Sequence, residues 1–80
     1  MKYIIFEDQS GHAVPIIFPD KIGHAEMREQ MPYGTVLSCG YVEFGTDQRF
    51  QCHGDCQELE ARALEGDAEK IAAAFGREEW

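Results

Sequence analysis

Apolar positions form short dense runs in the first half of the chain and helix-spaced pairs in the last third. Tyr3-Ile4-Ile5-Phe6 is a continuous β-prone run and predicts a strand. Asp8-Gln9-Ser10-Gly11-His12 is polar, holds a glycine and predicts a turn. Val14, Ile16, Ile17 and Phe18 predict a second strand, making a hairpin with a loop of about five or six residues. Pro15 has no N–H, which places that strand at a sheet edge or delays its start; Pro19-Asp20 ends it. Ile22 to about Gln30 predicts a short helix capped by Asp20, with a modest apolar side from Ile22, Ala25 and Met27. Pro32-Tyr33-Gly34 then opens a turn.

Thr35 to Phe44 is the strongest later strand, carrying Val36, Leu37, Cys39, Tyr41, Val42 and Phe44. Gly40 within it marks a bulge or a close backbone approach. Gly45-Thr46-Asp47 predicts a turn, and Arg49 to Cys52 a fourth strand closing a second hairpin. Asp55 with Glu58 three residues on has the spacing of a capping box, so a helix is expected from Asp55, with Leu59 and Ala63 on one face. Gly66 interrupts it. Asp67 is expected to cap a second helix carrying Ala68, Ile71, Ala72 and Phe75, which Gly76 ends before an Arg77-Glu78-Glu79-Trp80 tail. The order β-β-α-β-β-α-α predicts an α+β fold of two layers: an antiparallel sheet of about four strands packed with two or three short helices.

Length and charge narrow the reading. Eighty residues make a single domain, 1–80, too short for a barrel or a complete dinucleotide-binding fold. The aromatic fraction of 11% argues against disorder. The formal charge is −8, which repels nucleic-acid phosphates and anionic membranes and attracts a basic protein. No apolar run approaches a membrane span, and the first one stops at Glu7-Asp8, too short for a secretory signal. A cytoplasmic location is the expectation. Residues 1–42 hold five acids and three bases, whereas residues 43–80 hold ten acids and four bases. With 55–75 helical and its core face taken by Leu59, Ala63, Ile71 and Phe75, those carboxylates, Asp67 included, are expected to point outward as an acidic ridge.

Candidate chemistry is sparse. Cys39, Cys52, Cys56, His53 and His24 are residue types that hold zinc, but the spacing lacks a C-x₂-C knuckle. A zinc-stabilised domain built on Cys39, Cys52, Cys56 and a histidine such as His53 is the alternative to ordinary packing thiols. Three cysteines cannot all pair within one chain. Cys52-His53 with Cys56 suggests thiol catalysis, but no third orienting group stands out; His24 with Glu26, or paired carboxylates, suggests hydrolysis, but a helix separates the faces of residues two apart. Tyr33, Tyr41 and Trp80 are candidate aromatic anchors for a partner.

The chain also resembles a small family of uncharacterised bacteriophage and prophage proteins. The resemblance rests on Ile16-Ile17-Phe18-Pro19, Ile22-Gly23-His24 and Ser38-Cys39-Gly40-Tyr41-Val42. It continues through His53-Gly54-Asp55-Cys56-Gln57-Glu58-Leu59 and Gly66-Asp67-Ala68-Glu69. It implies no established chemistry and does not require cysteines at these positions. Small acidic proteins of such elements are similar in size and charge to inhibitors of host defence, including anti-CRISPR proteins that occupy nucleic-acid sites. The combined expectation is a non-enzymatic acidic protein-binding module without a cofactor, acting on a basic host protein by charge mimicry of DNA. Its contact residues are expected among Glu43, Asp47, Glu58, Glu60, Glu65, Glu69 and Trp80.

Overall fold

The first apolar run becomes the second-ranked position of a four-stranded antiparallel sheet in a computed structural model that describes residues 1–44 and 49–75, without the side chains of Glu58 and Phe75. The strands are β1 (Lys2–Glu7), β2 (Ala13–Phe18), β3 (Thr35–Phe44) and β4 (Phe50–His53), in the order β2-β1-β3-β4. The expected α+β class and four-stranded antiparallel sheet are both present. Helix α1 (His24–Gln30) carries the chain from β2 across to β3. Strands β5 (Asp55–Cys56) and β6 (Ala61–Arg62) form a small second sheet around a 3₁₀ turn at Gln57–Leu59, and helix α2 (Asp67–Phe75) follows.

Register follows from the turns. The Asp8 carboxylate accepts the N–H groups of Ser10 and His12 at 2.9 and 2.8 Å, which closes the β1–β2 loop. The His12 hydrogen bond foremost holds that carboxyl below its ordinary range. Gly11 supplies the left-handed conformation, at φ +86°, that the turn needs. Ile4 then stands between Ile16 and Cys39 on its two neighbours. Pro15 sits opposite Ile5 on β2, an outer strand of the sheet, as its missing N–H demands. The irregularity in β3 falls at Leu37, because Ile5 pairs with Ser38 while Phe6 pairs with Val36. Gly40 is instead a close approach: a Cβ there would lie 2.6 Å from the His53 carbonyl oxygen.

Both sheet faces are covered, which explains why β1 reads as an unbroken apolar run rather than an alternating one. Tyr3, Ile4, Ile5 and Phe6 are all 0% exposed. Ile4 and Phe6 join Phe18, Cys39 and Cys56, with Ile22, Met27 and Met31 of the α1 region packed on them. Tyr3 and Ile5 join Val42 and Ile71 of α2, with Ile17, Phe50 and Cys52 around them. Helix α1 begins after Gly23 rather than Asp20, and the Glu26 carboxylate accepts the Gly23 N–H at 3.3 Å. Asp20 lies 3.3 Å from the amino group of Met1 instead. No helix among the described residues is long and apolar enough to cross a membrane.

The helix expected from Asp55 is not formed. Leu59 packs on the α1 side of the sheet and Ala63 on the α2 side, so the segment between them passes from one face to the other. A continuous helix would keep positions four apart on one face. Gly54 at φ +85° and Glu60 at φ 56° turn the chain where the helix would have run on. The helix over 67–75 is present, but its N-cap is Gly66, whose carbonyl accepts the Lys70 N–H at 3.1 Å.

Candidate functional site

Four groupings bring polar or reactive side chains together. The deepest lies under α2. The Tyr3 hydroxyl donates to Asp67 Oδ2 at 2.5 Å, and the Leu64 N–H donates to the same oxygen at 2.9 Å. Asp67 is 0% exposed, which corrects the expectation that it caps α2 and points outward. Its first position in α2 and its reach back to Leu64 turn the carboxylate under the helix. The other oxygen, Oδ1, is buried with no partner among the described residues. Burial, then the Asp67 hydrogen bond, holds the Tyr3 phenol far above its ordinary range. Cys52 lies on this face beside Tyr3, and burial foremost raises its thiol.

The second grouping is on the opposite face. Cys39 on β3 and Cys56 on β5 belong to one packed cluster, both buried and both free thiols. Burial first, and then Cys56, pushes the Cys39 thiol up to about 12. The sheet therefore divides the cysteines, with Cys52 on the α2 side and Cys39 and Cys56 on the α1 side. Cys39, Cys52, Cys56 and His53, the residues of the zinc alternative, are not brought together: among the described residues no three His, Cys, Asp or Glu side chains are gathered as a metal would need. His24 is also engaged elsewhere.

The third grouping is an aromatic and imidazole row on the α1 side of β3 and β4. His24 is buried between Phe18 and Tyr41, with ring centroids 5.5 and 5.7 Å away and both contacts edge-on. Its Nε2 lies 2.9 Å from the Gly40 carbonyl; a carbonyl only accepts, so that nitrogen carries the proton. His24, the first residue of α1, thus holds that helix to β3. Tyr41 stacks on His53 at 5.9 Å, and His53 Nε2 lies 3.6 Å from Glu43 Oε2. Tyr41 and His53 face each other in the β3–β4 register, so His53 belongs to the strand. Tyr41 is an exposed large side chain, as is Phe44 on the α2 side of the sheet, where it stands edge-on to Phe50 at 5.3 Å. Tyr33, by contrast, is half-buried against Phe6 at 5.3 Å. The Tyr41–His53 pair was not singled out in the sequence, where no periodicity links two residues that meet only through register.

The fourth grouping is the acidic surface. Glu43, Glu60, Glu65 and Glu69 are exposed, as is Asp55. They spread over β3, β5, the Glu60 turn, the approach to α2 and α2 itself, so the expected single helical ridge is replaced by carboxylates on several elements. Asp55, Cys56, Gln57, Glu60, Ala61 and Arg62 line a shallow depression. Asp47, Trp80 and the Glu58 side chain lie outside the described residues. No family model matches the chain, no curated protein matches it, and no solved structure matches its fold.

Proposed function

We propose that this protein is a non-enzymatic acidic binding module for a basic protein. One observation carries the reading: a chain of formal charge −8 presents Glu43, Asp55, Glu60, Glu65 and Glu69 to solvent on successive elements of its second half. A surface of this sign draws a basic partner in and sets its orientation. Tyr41, exposed beside His53 and Glu43, adds an aromatic contact within the same half. In its finer form the partner is a host protein that ordinarily holds nucleic acid, with carboxylates standing where phosphates would. That form rests on net charge, because the hairpin at 55–62 removes the regular helical spacing a closer imitation would use.

The test is binding to a panel of purified basic nucleic-acid-binding proteins, with duplex DNA as competitor, at low and high salt. A true partner is bound at low salt, released by salt and displaced by DNA. The double variant Glu60→Lys and Glu65→Lys should bind about tenfold more weakly while staying folded, with a melting temperature no lower than the native chain's. Equal affinity of the double variant and the native chain would sink the proposal.

A further inference from the structure

The two buried thiols on the α1 side stand apart from the acidic surface. Cys39 sits at the centre of β3, opposite Ile4, and points to the α1 face. Cys56 enters the same buried cluster from β5, which packs against β3. Cys52 is separated from both by the sheet: it stands opposite Val42 in the register and faces Tyr3 and α2. A disulfide requires facing Cβ atoms a few ångströms apart, and of the three possible pairings only Cys39–Cys56 has both thiols in one buried cluster on one face of the sheet.

We propose that Cys39 and Cys56 form a disulfide-closing pair whose oxidant is a small-molecule disulfide such as oxidised glutathione. Cys56 reacts first. It lies on a strand of two residues at the start of a small hairpin, whereas Cys39 is locked in the middle of the main sheet. Cys56 also lines the open depression at the β5–β6 hairpin, whose lining does not include Cys39. The Cys56 thiolate attacks one sulfur of the small disulfide. That S–S bond breaks, a mixed disulfide forms, and the departing thiolate takes up the proton Cys56 lost. Cys39, deprotonated in turn, attacks the Cys56 sulfur and expels the second small thiol. Two protein thiols and one small disulfide become one protein disulfide and two small thiols, with two electrons passing to the small molecule. The bond ties the β5–β6 hairpin to β3 and shortens the loops open to the unfolded chain.

The experiment incubates the native full-length chain with oxidised glutathione well below its melting temperature, alkylates remaining thiols after denaturation, and maps the peptides by mass. The expected product lacks two hydrogens, links the Cys39 and Cys56 peptides, leaves Cys52 alkylated, and melts at least ~5 °C above the reduced chain. Cys52→Ser should give the same link at the same rate. Three results overturn the proposal: a link involving Cys52, glutathione on Cys56 that Cys39 never resolves, or a Cys52→Ser chain that keeps both thiols reduced.

Discussion

The Tyr3 hydroxyl donates to a carboxylate, Asp67, that the fold has withdrawn from water. Among the described residues, removing that hydroxyl leaves Oδ2 with the Leu64 N–H alone and Oδ1 still without a partner. Tyr3→Phe should therefore cost about 2 kcal/mol in a urea melt at neutral pH, more than the loss of an exposed hydrogen bond. The same residues make the protein sensitive to alkali. Tyr3 is held far above its ordinary 10.0, chiefly by burial, and Cys39 is pushed from 9.0 to about 12, again chiefly by burial. In the unfolded chain both protons leave at the ordinary values; the folded chain retains them. Their contribution is complete below about pH 9 and is lost as pH rises from there through 12, by up to ~1.4 kcal/mol per pH unit for each group. Urea melts between pH 8 and about 12 should show this fall, and Tyr3→Phe should make it shallower above about pH 10. A stability that is flat over that range would remove the buried-acid account.

At the scale of elements, strands and hairpins were legible because their signals are local. Tyr3–Phe6, Pro15 and the Asp8–His12 turn each announce one strand, one edge or one reversal, and each holds. The 55–66 segment was misread because its helix propensity is genuine while its packing is not helical. Gln57-Glu58-Leu59-Glu60-Ala61-Arg62 is rich in helix formers, yet Leu59 and Ala63 serve opposite faces of the sheet. Of the site, the exposed acids were readable from composition. The Asp67 latch, the Cys39–Cys56 contact and the Tyr41–His53 stack were not, because strand pairing and tertiary packing bring together residues far apart in sequence. The Glu60 turn distinguishes the two readings by sign. Glu60 lies at φ 56°, ψ 42°, a left-handed conformation that disfavours a side chain, above all a β-branched one. Glu60→Gly should be neutral or stabilise the chain by up to ~1 kcal/mol, and Glu60→Val should destabilise it by at least ~1 kcal/mol. In a helix interior the glycine variant would instead lose about 1 kcal/mol, so thermal melts of the two variants decide between hairpin and helix.

For the whole molecule the governing quantity is a formal charge of −8 on a body measuring 32 × 28 × 20 Å. The described ion pairs, Met1–Asp20, His12–Asp8 and His53–Glu43, involve the amino terminus and histidines at largely exposed positions, where such pairs contribute about 0–1 kcal/mol. They offset little of a field in which acids exceed bases by more than two to one. At low ionic strength that field opposes the compact state, since charges of one sign are closer in it than in the unfolded chain. A screening length of about 10 Å at 0.1 M salt is shorter than every dimension of the molecule, so added sodium chloride should raise the melting temperature before the effect levels off. Self-repulsion grows roughly as the square of the charge. The Glu60→Lys and Glu65→Lys double variant carries −4, so its salt-dependent rise should shrink to about a quarter of the native one. Thermal melts of both chains across a salt series measure this directly. A melting temperature that falls as salt is added would mean that attractive pairs dominate. The surface would then be electrostatically satisfied within the molecule, leaving no free acidic field to draw a basic partner.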